Sequence, residues 1–253
     1  MPTRRIVAGG LAALPAATWL AAGLPAFAQS VLEGDTVPTT AGDVTIHPVG
    51  HATLILGFGD SVIYVDPAES DFAGLPAATA ILFTHAHGDH FNAGRLAGIA
   101  GAAPILATEE VAGMIPADLA GQVSVLRNGE SGEIDGIPVE AVAAYNTTPE
   151  RQQYHPQGVG NGYVLSFGDT RIYVAGDTED TPEMRALTDI AVAFLPMNLP
   201  YTMTEEQAAD AVAAFRPAIV YPYHFRGSDV DRFRELVGDA AEVRLADWYP
   251  AGG

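Results

Sequence analysis

The chain has 253 residues, 48% of them apolar, enough for one domain with a sizeable core. All 12 basic residues are arginine and 31 are acidic; a formal net charge of −19 argues against a nucleic-acid partner, and the absence of lysine excludes a P-loop lysine and Schiff-base chemistry. There is no cysteine, so disulfides, thiolate nucleophiles, iron–sulfur clusters and thiolate zinc sites are excluded as well.

At the N-terminus, Met1 to Arg5 carries two positive charges, and Ile6 to Ala28 is uncharged and ends in Ala26-Phe27-Ala28. That order of a basic start, an apolar stretch and a small-x-small site predicts an export signal over residues 1–28. Arg4-Arg5 ahead of a mildly hydrophobic Ala/Gly-rich run is similar to a twin-arginine signal, and Pro15 and Pro25 favour removal over retention as an anchor. Residues 29–253 then form one domain, expected in the periplasm or secreted, with no stable membrane insertion after cleavage. Its acidic, lysine-free surface suits solubility in salty surroundings.

Further along, Phe58-Gly59-Asp60-Ser61-Val62-Ile63-Tyr64-Val65 recurs as Phe167-Gly168-Asp169-Thr170-Arg171-Ile172-Tyr173-Val174. In each copy an apolar run (Thr53 to Leu56, Tyr163 to Leu165) enters a Gly-Asp turn and leaves through a β-branched, aromatic-rich run, which predicts two hairpins. Each second strand ends near an aspartate, Asp66 or Asp177. Ala80 to Phe83 and Ile190 to Leu195 read as buried strands. Thr204-Glu205-Glu206-Gln207 is a capping box that opens a helix stopping near Pro217. Ala218 to Tyr223 is a further strand with His224 at its end, followed by a helix over Val230 to Val237 and a last strand over Glu242 to Leu245. Two similar β-rich halves imply two sheets packed face to face with helices outside.

Of the 7 histidines, three fall within Thr84-His85-Ala86-His87-Gly88-Asp89-His90. A strand ending at Thr84 lets the following turn aim several ligands into one space, and Gly88 allows a tight path. Imidazoles and carboxylates without thiolates suit zinc first, then iron or manganese. His47 reads as a strand residue whose ring is satisfied by a neighbour.

On Gly50-His51-Ala52-Thr53, Val65-Asp66-Pro67, the His85 to His90 motif, Ala175-Gly176-Asp177-Thr178, Thr202-Met203 and Pro222-Tyr223-His224, the chain resembles the metallo-β-lactamase superfamily. Within it, the chain is most similar to the metal-dependent hydrolases that include ascorbate-6-phosphate lactonase and N-acyl-phosphatidylethanolamine phospholipase D. The resemblance spans nearly all of residues 29–253 and implies an α/β fold, the αββα four-layer sandwich. It implies His85 and His87 as ligands of a first zinc, Asp89, His90 and His224 as ligands of a second, and Asp177 as the bridge. His51 and Asp66 are implied to orient those ligands by hydrogen bonds. One position departs from the pattern: Asn146 stands where a third histidine of the first site is expected, and His155 in the same loop is the replacement.

The activity this implies is hydrolysis of a small-molecule ester, lactone, amide or phosphodiester bond by a metal-bound hydroxide, with Asp89 as the catalytic carboxylate. Asn146, Asn198 and Tyr201 are expected to face the substrate, and Arg151 and Arg226 to anchor an anionic group on it. The alternative is a metal-binding or sensing protein of the same fold that has lost catalysis, which the asparagine at 146 favours.

Overall fold

The computed structural model describes residues 32–68 and 71–249. The expected export signal over 1–28 lies outside the described residues. Two mixed sheets of seven strands each make up the body of the domain. The first runs in sequence order through β1 (Asp35–Thr39), β2 (Gly42–Gly50), β3 (Thr53–Phe58), β4 (Ser61–Val65), β5 (Ala80–Leu82), β6 (Ile105–Ala107) and β7 (Val123–Val125). The second runs through β8 (Ser131–Ile134), β9 (Ile137–Ala144), β10 (Gly160–Phe167), β11 (Thr170–Val174), β12 (Ile190–Pro196), β13 (Ile219–Tyr223) and β14 (Glu242–Val243).

The two halves share one plan. In each, four strands pair antiparallel and the fourth is then joined by three parallel strands. The recurring Gly-Asp segments are the two-residue turns of β3–β4 and β10–β11, with Gly59 and Gly168 at φ of 58° and 63°. Parallel neighbours need crossovers, and apart from that between β4 and β5 these carry helices: α1 (Ala93–Ile99) and α2 (Glu109–Met114) in the first half, α3 (Pro182–Arg185), α4 (Glu205–Phe215) and α5 (Val230–Val237) in the second.

Burial on both faces explains why the central strands read as unbroken apolar runs. Leu54, Leu56, Ile63 and Val65 of the first sheet meet Tyr163, Leu165, Ile172, Val174 and Phe194 of the second in the core between the sheets. The alternate residues point outward: Ile55 and Tyr64 pack with Leu96 and Val111 of α1 and α2, whereas Tyr173, Ala193 and Leu195 pack with Met184, Val212 and Phe233 of α3 to α5. The result is helix, sheet, sheet, helix, the αββα order.

Boundaries follow local chemistry. α4 opens on the reciprocal Thr204–Gln207 capping box and ends at Arg216 in a left-handed conformation, one residue before Pro217. The Ala80 strand stops at Leu82 rather than Phe83, and the last strand holds only Glu242 and Val243, because β14 is an edge strand paired on one side alone. His47 lies on β2 with its Nδ1 2.5 Å from the Glu33 carbonyl oxygen.

Gly162, in the middle of β10, has no room for a side chain: a Cβ there would sit 2.7 Å from the Ala175 carbonyl oxygen and 2.9 Å from the Tyr173 ring. Gly162→Ala is therefore expected to destabilise the domain by about 1–3 kcal/mol through forced backbone displacement, read from urea unfolding midpoints; an unchanged midpoint would contradict this packing.

Candidate metal centre

The carboxyl ends of β4, β5, β11 and β13 carry the functional side chains: Asp66 after β4, Thr84 and His85 after β5, Asp177 after β11, and His224 after β13. That end of a parallel sheet is where crevices open, since the following crossovers diverge there. Two of these residues, Asp66 and His224, and His51 between β2 and β3 sit in backbone conformations that side chains seldom adopt, at φ of 47°, 47° and 48°. Such conformations cost about 1–3 kcal/mol each and persist only where the surroundings enforce them. Here the enforcement is visible: the His51 amide donates to the Trp248 carbonyl and the His224 amide to the His51 carbonyl, both at 3.0 Å.

Two donor clusters share Asp177. In the first, Nε2 of His85 and Nε2 of His155 lie 3.1 and 3.2 Å from Nδ1 of His87, and Asp177 Oδ2 is 3.3 Å from His155 Nε2 and 3.9 Å from His85 Nε2. Ligand atoms bound tetrahedrally at zinc distances are about 3.3 Å apart, so this set fits a cation closely. In the second, His90 Nε2 is 3.3 Å from Asp177 Oδ1, and His224 Nε2 is 3.4 Å from Asp177 Oδ2. Asp89 Oδ2 lies 3.3 Å from Nε2 of both His224 and His51.

Hydrogen bonds on the far side of several rings settle which nitrogen carries the proton. The His90 Nδ1–H donates to Asp66 Oδ2 at 2.8 Å, the His85 Nδ1–H to Thr84 Oγ1 at 3.0 Å, and the His155 Nδ1–H to the Tyr201 carbonyl at 3.1 Å. Each leaves an Nε2 lone pair aimed into the cluster, the arrangement a metal ligand requires. Asp66 is itself held by the Thr84 amide at 2.8 Å and the Thr84 hydroxyl at 2.6 Å. His90 Nε2 and Asp177 Oδ1 are buried 3.3 Å apart and, beyond each other, have no hydrogen-bond partner among the described residues. Buried groups of this kind demand a counterpart, and a divalent cation supplies it.

The electrostatics agree. Burial works against a charged His90, but the carboxylates of Asp177 and Asp66 outweigh it and hold its pKa well above the ordinary imidazole value. Burial likewise opposes ionisation of Asp177, yet His224 and His90 pull its carboxyl well below the usual range. His85 is pushed down, by burial first and then by His90.

The first-half motif and Asp177 come together with His155 and His224 from the second half. His51, expected to orient the ligands by hydrogen bonds, presents Nε2 3.3 Å from Asp89 Oδ2 beside His224, with its Nδ1 2.8 Å from the Tyr249 hydroxyl. The five residues expected to face the substrate are placed as follows. Asn146 is buried, and its amide donates to the Tyr201 and Arg151 carbonyls at 2.6 and 3.0 Å, so it braces the His155 loop. Arg151 is turned away onto the fully buried Glu179, 2.6 Å distant, and onto the Thr202 carbonyl and Gln207. Arg226 lies over the Tyr249 ring, 5.6 Å from its centroid. Tyr201 orients His155 by its carbonyl rather than its phenol, and the exposed ring packs edge-on against Tyr154. Asn198 closes the adjoining loop through its backbone, with its amide donating to Thr202 Oγ1 at 2.7 Å.

Sequence reasoning missed Glu179 and Tyr249. Glu179 accepts from the amides of Thr147 and Thr148 at 2.7 and 2.6 Å and from Arg151, clamping the loop that delivers His155. In the sequence it is one of several acids after Gly176, and nothing there separates a buried carboxylate from a solvated one. Tyr249 follows the last strand with no pattern around it.

Comparison with known proteins gives one answer. Residues 45–224 match the model of the β-lactamase superfamily domain. A UPF0173 metal-dependent hydrolase of Pyrococcus horikoshii is 33% identical over 220 residues, covering 79% of this chain and 95% of that protein. The structure of a protein from Parabacteroides distasonis described as a metal-dependent hydrolase is 40% identical, covers 87% of this chain and 100% of that one, and superposes with a TM-score of 0.80. A metallo hydrolase of Ignicoccus hospitalis shares the fold, with 24% identity, 80% and 94% coverage and a TM-score of 0.67.

The Glu179 clamp generates a pH-dependent expectation. Burial opposes its ionisation, but the hydrogen bonds from Thr148, Thr147 and Arg151 outweigh it and hold the carboxyl below its ordinary pKa. A depressed carboxyl stabilises the fold above its unfolded pKa, and that contribution is lost as pH falls through the folded value. Glu179→Gln should be about 2–4 kcal/mol less stable than the parent at neutral pH, with the gap closing at acid pH. Urea unfolding of both proteins across the acid range checks this, and a gap independent of pH would refute the clamp.

Proposed function

The chain belongs to the β-lactamase superfamily of metal-dependent hydrolases, and from that membership we propose an exported, binuclear zinc enzyme that cleaves an ester, lactone, amide or phosphodiester bond in a small molecule. The observation that carries this reading is the pair of donor clusters joined through Asp177, with ring tautomers set so that lone pairs converge. His85, His87, His155 and Asp177 would hold the first ion; Asp89, His90, His224 and Asp177 would hold the second. Such a pair lowers the pKa of a water and polarises the scissile carbonyl or phosphoryl oxygen.

The chain's own residues supply positioning and proton handling. Asp66 and Thr84 fix the His90 and His85 rings, and the Tyr201 carbonyl fixes that of His155. Asp89 is partly exposed, with Oδ2 3.3 Å from Nε2 of both His51 and His224, and this carboxylate would orient the attacking water and take its proton. Among the described residues no helix is long and apolar enough to cross a membrane. Residues 1–28 would direct export, and the mature chain would act in the periplasm or outside the cell.

Elemental mass spectrometry on the purified protein and on His155→Ala is the decisive experiment. About two zinc ions per chain are expected, falling toward one in the variant. One metal or none, unchanged by the substitution, would overturn the binuclear reading in favour of a mononuclear enzyme or a metal-binding protein. Asp89→Ala should retain the fold by circular dichroism while kcat/KM on any substrate found falls by about 100-fold or more.

A further inference from the structure

A cavity of about 690 Å³ opens directly off His85, His87, His155 and Asp177. That volume suits a small molecule with a body well beyond the scissile group. Its remaining walls have a consistent chemistry. Met114, Leu126, Tyr154, Pro156 and Val159 give an apolar lining, and Met114 and Val159 are 51% and 37% exposed, unusual for large hydrophobic side chains. Exposed apolar side chains gathered at one mouth mark a binding surface rather than chance.

The polar groups in the same walls are already engaged. The Asn128 amide donates to the Gly160 carbonyl and Asn161 Oδ1 at 2.8 and 2.7 Å, and the Asn161 amide to the Leu126 carbonyl at 2.8 Å. Arg127 is the single cation among the residues that line the cavity, and its Nε lies 3.4 Å from Glu109; Glu110 lines the cavity too. Carboxylates therefore outnumber cations away from the metal centre, and Arg151, the other arginine near His155, is turned onto Glu179. An anionic substrate body would meet apolar walls and net negative charge.

We propose that this cavity receives the uncharged, apolar body of a carbonyl substrate, an ester, lactone or amide, and selects against phosphodiesters and carboxylate-bearing molecules; the proposal rests on the hydrolase reading above. In the ester case water oxygen bonds to the carbonyl carbon, the bond from that carbon to the alkoxy oxygen breaks, and the proton released by water ends on the departing alcohol. No reactant other than water is needed.

The test uses the zinc-loaded protein with para-nitrophenyl hexanoate, mono-para-nitrophenyl adipate, which places a carboxylate at the far end of the same chain, and bis(para-nitrophenyl) phosphate. The hexanoate should exceed the other two in kcat/KM by about tenfold or more. Met114→Lys, which puts a cation on the apolar wall, should raise the adipate-to-hexanoate ratio by about threefold or more. A preference for the adipate or the phosphate, or a ratio unmoved by Met114→Lys, overturns the proposal; an adipate preference that vanishes in Arg127→Gln would identify Arg127 as an anion anchor and overturn it likewise. If none of the three is turned over, the hydrolase reading fails separately. Calorimetric binding of the ketone isostere of the hexanoate and of its terminal-carboxylate analogue then decides the cavity's preference: tighter binding of the neutral ketone sustains it, and equal or weaker binding refutes it.

Discussion

The buried carboxylate of Asp177 is the constraint around which this protein is organised. It stands at the end of β11 with His85, His90, His155 and His224 around it, at 3.9, 3.3, 3.3 and 3.4 Å. A carboxylate and four imidazoles cannot be gathered out of water unless charge is compensated, by protons in the empty centre or by cations in the loaded one. The ends of β4, β5, β11 and β13 that reach this point belong to the parallel portion of one sheet or the other, while the β2–β3 turn and the β9–β10 loop bring His51 and His155. The paired αββα halves therefore do more than bury a core: they bring two sets of strand ends to one edge.

Holding that edge costs backbone strain, and the strain is shared between halves. His51 closes the turn between β2 and β3, and His224 ends β13; the two are joined through the backbone at 3.0 Å, and His51 is joined to Trp248 by another bond of 3.0 Å. Trp248 in turn is buried against Phe194 and Tyr223 in the core between the sheets. The C-terminal segment thereby ties the site to the packing, so a disturbance at Trp248 would reach His51 and Asp89 without touching a ligand directly.

In the first cluster one loop supplies both an imidazole and the residue that braces it. With asparagine at 146, the imidazole comes from nine residues later, and the asparagine takes a structural part in bracing the loop that carries it. Glu179 supplies the second brace, two residues beyond Asp177, so one short segment provides both a ligand and the clamp for another ligand. The arginine that seemed free to bind substrate is the counterion of that clamp.

Much of this protein is legible from sequence because the signals are local. A Gly-Asp turn between apolar runs makes a hairpin wherever it occurs, and its recurrence, followed by strand and helix patterns, implied two similar halves. The spacing of His85, His87, Asp89 and His90 after a strand obliges those side chains to share a small volume. What remained hidden depends on separations of tens of residues: whether His155 reaches His87, whether Arg151 faces the substrate or Glu179, and whether Glu179 is solvated or buried. A side chain's partner across a fold is set by how sheets and loops pack, and the linear order of residues carries no local mark of it. Sequence alone thus determined the architecture and most of the candidate donor residues, while the packing of the two halves decided which charged groups gather at the candidate centre, which brace its loops, and what chemistry the adjoining cavity presents.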